Sequence, residues 1–268
     1  MGNAAFILVD DGLPVSEHFV SRGAPVDRDT QFQVASLSKW VTAWGVMTLV
    51  EQGKVDLDAP VSRYLTRWQL PAGAFDNDKV TVRRLLSHTA GLTDGLGYAG
   101  FEPGVPVQSL EASLTRASDA SPGADGSVHV GMEPGSGFKY SGGGYTLLQL
   151  LIEEVSGQGF NDFMTQTVFT PLSMSRSTYV LDDAAANVAV LYDMDGSPAT
   201  HFRFTSLAAT SLYTSAGDMA RLIAAHLPGR NGEPAGRGVL SAETLSAMRQ
   251  PHASEMGADI WGLGVMLY

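Results

Sequence analysis

The sequence predicts an α+β fold: an antiparallel sheet drawn from the two chain ends, helices packed on it, and a mainly helical lobe between. Three observations carry this. The chain opens on a hairpin signal, closes on a strand-like apolar run, Val265-Met266-Leu267-Tyr268, and holds several helix-patterned segments in between. At 268 residues, 44% hydrophobic and 17% charged, it can bury a sizeable core without staples, and it is not a disordered tail. The expected organisation is a single domain over 1–268, with a sheet lobe from 1–60 and 211–268 and a helical lobe from 61–210.

Taken in order, Ala4 to Val9 reads as a buried strand, Asp10-Asp11-Gly12 as its turn, and Val15 to Val20 as the returning strand. Residues 36–52 predict a helix whose apolar residues, among them Val41, Trp44 and Met47, cover more than one face, so it is expected in the core, with Gly53 as its stop. A turn over Asp56 to Pro60 leads to a shorter helix from Val61 to Leu65, and 80–88 predicts another, ended by Gly91. From Asp94 to Gly137 the chain is rich in Gly, Pro, Ser and Asp, a cleft-forming excursion with one helical interval from Leu110 to Ala117. Helices follow from Tyr145 to Val155, closed by Gly157, and from Phe160 to Phe169, ended at Pro171. Ser215 with Asp218 three residues on marks another helix start, and Ser241 begins a last helix running to Met248.

Composition removes several function classes. The formal charge of −11 argues against binding a phosphate backbone, so no nucleic-acid partner is expected. Zero cysteines exclude disulfides, thiolate metal sites and a cysteine nucleophile. No run approaches the length of a membrane span, and Met1 to Asp11 lacks the basic start of a signal peptide, which leaves the compartment open. The six histidines show no ligand spacing, so neither a metal nor a cofactor is expected; His88 is expected to support a loop under the cleft. Trp40 and Trp44 read as core, while Tyr98, Phe101 and Tyr213 are candidates to line the cleft.

Ser36-Leu37-Ser38-Lys39 carries the chemistry. Residues three apart share a helix face, so Lys39 can point at the Ser36 hydroxyl. A serine needs a base within hydrogen-bond reach, and a lysine serves only when burial disfavours its charged form. Trp40, Val41 and Trp44 supply that burial, whereas replacing Ser38 is expected to leave most of the turnover. Tyr140-Ser141-Gly142 adds a phenol that could shuttle protons, though the tripeptide alone reads more readily as a half-buried tyrosine on a turn.

In chain order, Ser36-x-x-Lys39, Leu85-Leu86-Ser87-His88-Thr89-Ala90-Gly91-Leu92, Pro134-Gly135 leading to Tyr140-Ser141-Gly142-Gly143-Gly144-Tyr145, and Leu212 to Arg221 form a set. This set resembles the serine β-lactamase and penicillin-binding protein superfamily, nearest its class C-like branch with the family VIII carboxylesterases and D-aminopeptidases. The resemblance implies a β-lactamase/transpeptidase-like fold and an acyl-enzyme mechanism. Ser36 would attack a carbonyl, Lys39 and Tyr140 would share the base work, and the Ser36 N–H would be one oxyanion donor. The implied substrates are small-molecule esters or amides, with carboxylic esters favoured over β-lactams or D-amino-acid peptides. The reason is Gly142, which stands where many relatives carry the asparagine of Tyr-x-Asn, leaving no side chain to hydrogen-bond an acylamino group. The Lys-Thr-Gly or His-x-Gly type third motif is also missing, so the chain is expected to be a C-terminally truncated and weakly active fragment. An inactive relative that only binds a ligand is the rival from another class.

Overall fold

The structure is a computed structural model that describes residues 2–94, 97–182, 184–255 and 258–267. The chain opens with β1 (Ala4–Asp10) and β2 (Leu13–Val20), antiparallel from Ala4 opposite Val20 to Asp10 opposite Leu13. Asp11 and Gly12 between them have φ of 47° and 75°, the left-handed pair a two-residue hairpin turn requires. The hairpin is not buried as the apolar run suggests: Phe6 is 63% exposed and Leu8 49%.

Then come β3 (Gln31–Gln33), a 3-10 turn over Ala35–Leu37, and the helix α1 (Ser38–Glu51). Residues from Ser38 to Leu49 in α1 are almost all buried, as an all-round apolar helix demands. Gly53, with φ of 67°, closes it in the left-handed conformation. A 3-10 turn at Val61–Tyr64 replaces the short helix predicted there, and the predicted 80–88 helix is only α2 (Val82–Leu86). It stops early because His88 takes a φ of 58°, off the helical path. The long excursion contains α3 (Leu110–Arg116), as its pattern predicts.

Next, α4 (Gly142–Ser156) starts three residues ahead of its expected beginning, because Ser141 caps it by accepting the Gly144 N–H at 2.8 Å. A short α5 (Phe160–Met164) continues into a π-helical turn, Thr165–Phe169. Two brief strands, β4 (Leu191–Tyr192) and β5 (Pro198–Ala199), precede α6 (Leu207–Thr210), β6 (Tyr213–Ser215) and α7 (Ala216–Ala225). Ser215 caps α7 by accepting the Asp218 N–H, and Ser241 caps α8 (Ala242–Met248) by accepting the Thr244 N–H, both at 3.1 Å. The last strands are β7 (Ala253–Glu255) and β8 (Ala258–Trp261). The C-terminal strand therefore precedes the run expected to form it: of Val265–Tyr268, Met266 makes one bridge to Trp261, and Tyr268 lies outside the described residues.

The α+β class holds, but the strands of the described residues do not join the chain ends in one sheet. They form four antiparallel pairs, β1 with β2, β3 with β6, β4 with β5 and β7 with β8. The β3–β6 ladder sets Phe32 opposite Thr214, which brings the segment entering Ser36 beside the segment leaving α6. A hydrophobic core cluster extending from Val41 in α1 to Leu263 near the C-terminus includes Leu147, Leu148, Leu150 and Leu151 of α4. No helix among the described residues is long and apolar enough to cross a membrane.

The Leu86 carbonyl draws the ends of this core together. It accepts from the Tyr145 hydroxyl at 3.1 Å, the Trp261 indole N–H at 3.2 Å and the Gly264 N–H at 3.1 Å. A Cβ on Gly264, whose φ is 76°, would lie 2.3 Å from the Ala43 Cβ of α1, so only glycine lets the C-terminal segment approach. Gly157 is equally left-handed, with φ of 70°, yet nothing surrounds its Cβ position within 4 Å. Gly157→Ala should therefore cost only the backbone penalty of about 1–2 kcal/mol, and Gly264→Ala about 1–3 kcal/mol more from overpacking. Urea denaturation of the two variants checks this, and equal losses would refute the steric assignment.

Candidate active site

Ser36 sits in the 3-10 turn just ahead of α1, exposed, and directly after Ala35, which holds φ at 45°. A non-glycine residue in that region is strained, and the neighbouring contacts hold it there. Ser38 supplies one of them. Its buried hydroxyl donates to the Ala35 carbonyl at 2.5 Å and accepts the Leu212 N–H at 2.9 Å, clasping the turn to the β6 segment. Ser38 is thus a structural tie beside the nucleophile.

Lys39 lies at the second position of α1 and is 3% exposed. Its Nζ is 3.1 Å from Ser36 Oγ and donates to the Ala209 carbonyl of α6 at 2.7 Å. Burial lowers its pKa from the ordinary lysine range to about 7, with the Asp94 carboxylate opposing that shift. A substantial share of the amine is then neutral at physiological pH, with a lone pair to accept the serine proton.

Tyr140 stands across from this pair, the Lys39 Nζ lying 4.9 Å from the centre of its ring. Burial pushes its phenol up, while a hydrogen bond with the Ser36 side chain pulls the other way. The structure therefore gathers Ser36, Lys39 and Tyr140 around one hydroxyl. Gly142, two residues past Tyr140, is buried in the first turn of α4.

His88 supports Tyr140 from beneath. Its ring centre is 4.3 Å from that of Tyr140, its Nδ1 accepts the Ser141 N–H at 3.1 Å, and its carbonyl accepts the Lys139 N–H at 2.7 Å. Desolvation and nearby Lys39 keep the imidazole pKa well below the ordinary histidine value, so it stays neutral and serves as an acceptor. Asp94 also holds this stretch. Its carboxylate accepts from the Ser141 hydroxyl and, at 2.7 Å, from the Gly143 N–H. Burial raises the Asp94 pKa, against those hydrogen bonds and the charge of Lys39. Sequence reasoning missed Asp94 as a member of the site; its place at the end of the His88-to-Leu92 motif was the available signal. The Ala209 carbonyl had none, since backbone groups carry no residue signature.

A cavity of about 600 Å³ lies nearby, with Tyr179, Gln149, Phe202 and Tyr213 in its walls, but Ser36, Lys39 and Tyr140 are not among its lining residues. Tyr213 is buried in that wall, and Tyr98 instead stands against Gly142.

With this geometry in view, the comparisons are decisive for the family. The Beta-lactamase family model matches residues 1–268. The chain belongs to the beta-lactamase family. This is a family of serine hydrolases with a β-lactamase/transpeptidase-like fold. Penicillin-binding protein 4 of Amycolatopsis lactamdurans is 30% identical over 92% of the chain and 65% of its own length. Esterase EstB of Burkholderia gladioli is 31% identical over 66% of the chain and 45% of its own. The octameric penicillin-binding protein homologue from Pyrococcus abyssi superposes with a TM-score of 0.77 at 25% identity, over 99% of this chain and 60% of that one. The chain thus spans less than two thirds of the length of each of these beta-lactamase relatives.

Two outcomes follow from the geometry. Ser38→Ala strands the Leu212 N–H and should lower stability by about 1–3 kcal/mol, read as a shifted urea midpoint. A neutral result would show that the clasp does not matter. The rate of serine labelling by a fluorophosphonate should rise with pH through a midpoint near 7, because only neutral Lys39 accepts a proton. Removing the negative charge in Asp94→Asn withdraws support from the ammonium, so that midpoint should move down. A midpoint near 10 in the parent, or an unmoved one in the variant, contradicts the assignment.

Proposed function

We propose that this beta-lactamase family chain acts as a serine hydrolase through an acyl-enzyme, and that its preferred substrates are small carboxylic esters. The observation that carries the reading is the buried Lys39 amine, 3.1 Å from Ser36 Oγ and lowered to a pKa of about 7. Ser36 passes its proton to Lys39 while Oγ bonds to the ester carbonyl carbon. The oxyanion that forms is met by the Ser36 N–H, one of the donors such an intermediate requires. Collapse breaks the ester C–O bond, and the departing alkoxide takes a proton relayed from Lys39 through Tyr140. Water then attacks the acyl-enzyme, and the carboxylic acid leaves as Ser36 regains its proton. The raised phenol of Tyr140 suits a donor and relay, which leaves Lys39 as the base.

Ester preference rests on Gly142, which offers no side-chain hydrogen bond to an acylamino group, and agrees with the esterase name of EstB. Acylation by penicillins is the second reading, favoured by relatives named as penicillin-binding proteins. A missing hydrogen bond of this kind is worth about 0.5–1.5 kcal/mol, a few-fold to roughly tenfold in rate.

Ser36→Ala should abolish turnover of p-nitrophenyl butyrate, and Lys39→Ala should cost nearly as much, since residues acting as a unit lose activity together. Retained turnover in the Ser36 variant would end the proposal. In the parent, kcat/KM for the butyrate ester should exceed that for nitrocefin; the reverse order would replace the ester reading with the penicillin one.

A further inference from the structure

Gly142 is not glycine for the sake of its backbone. It lies in the first turn of α4, and its φ is outside the left-handed region that other glycines of the chain occupy. The constraint is spatial. A Cβ at 142 would touch Cδ2 and Cζ of Tyr98 at 3.6 Å and stand 2.9 Å from its Cε2, the last closer than packed carbons approach.

The Tyr98 ring is not free to yield. Its hydroxyl is hydrogen-bonded to Thr146 Oγ1 at 2.9 Å. Thr146 in turn donates to the Gly142 carbonyl at 3.2 Å and meets Ser206 Oγ at 2.5 Å. At its other end the residue is held by a backbone bridge to Ala120, and the next amide, Ala99 N–H, donates to the Asp119 carbonyl at 2.6 Å. The ring is a strut between the start of α4 and Ser206, the residue leading into the helix whose Ala209 carbonyl holds Lys39.

We propose that Tyr98 and Gly142 form a mutually exclusive pair, in which the Tyr98 ring takes the volume a side chain at 142 would fill and makes Tyr98 a specificity-determining residue. An aromatic edge then stands against Gly142, two residues past Tyr140, in the volume an amide side chain there would have needed. The site so built offers no side-chain amide at position 142 to an acylamino group, which favours simple esters. This rests on the serine-hydrolase reading above and names the residue that sets its ester preference. Burial and the charge of Asp94 keep the Tyr98 phenol protonated, so the wall does not change with working pH.

The test is a cycle on the 268-residue chain: the parent, Gly142→Ala, Tyr98→Ala and the double variant. Alanine ordinarily stabilises a helix relative to glycine. Gly142→Ala should nevertheless lower the melting temperature by several degrees in the parent, and should raise it or leave it unchanged beside Tyr98→Ala. An equal drop in both backgrounds overturns the pairing. If Gly142→Ala does not fold, a folded double variant supports the pairing and an unfolded one overturns it.

Selectivity is read by covalent labelling, as the rate with a fluorescent penicillin divided by the rate with a fluorophosphonate. That ratio should rise at least tenfold when Gly142→Asn is combined with Tyr98→Ala, while Gly142→Asn alone loses labelling by both probes. An unchanged ratio in the combined variant refutes Tyr98 as the determinant. A parent labelled by neither probe fails the hydrolase reading and the selectivity claim together, and the melting cycle still decides the pairing. A parent that prefers the penicillin fails the ester reading alone.

Discussion

The arrangement of this site depends on one unfavourable event, the removal of the Lys39 amine from water. An ammonium taken into an apolar helix environment must find compensation or give up its proton. Here compensation is deliberately partial. Among the described residues Lys39 makes no ion pair; it has a carbonyl, a hydroxyl, and the field of Asp94, whose contacts are with Ser141 and Gly143. A carboxylate in direct contact would have kept the amine charged and useless as a base. Without any carboxylate the amine would have been neutral over a wider range but poorer at holding a proton once received. The intermediate placement of Asp94 sets the amine between those limits.

Holding the amine there requires the surrounding backbone to be over-determined. Two non-glycine residues beside the site, Ala35 and His88, adopt left-handed φ values. Ala35 is clasped by the Ser38 hydroxyl, which the distant Leu212 N–H holds in turn, and His88 is clasped by the distant Lys139 and Ser141. Local strain is tolerated because tertiary contacts leave no alternative path. The fold contributes rigidity where the chemistry is placed, and the strands, reduced to short pairs among the described residues, contribute register more than bulk.

Much of this was legible in the sequence, for identifiable reasons. Ser36, Lys39 and Tyr140 stood out because a nucleophile, a lysine at helical spacing and a phenol lie within recognisable motifs, and Ser215, Ser241 and Gly157 punctuate helices by local chemistry alone. The less legible features are products of distance. The apolar β1 run matches a buried strand, yet nothing local says whether another layer will cover Phe6 and Leu8. The early end of α2 follows from the His88 conformation, which is imposed by Tyr140 and Ser141 some fifty residues on. The cause of Gly142 is Tyr98, in a loop whose geometry no periodicity encodes.

The Ala209 carbonyl has a consequence for the kinetics of proton transfer. An acceptor with no proton of its own can be served by one N–H of Lys39 whether the amine is neutral or charged. The nitrogen therefore keeps the same anchor on both sides of the transfer, and its remaining valence stays directed toward Ser36. In the proposed acylation only light nuclei need to move; the heavy-atom frame, and the dipoles that stabilise the new charge, are already in their final positions. Water around an exposed lysine would have to reorient at every such event. Within this frame the reorganisation has been completed once, during folding, and is not repeated in each turnover.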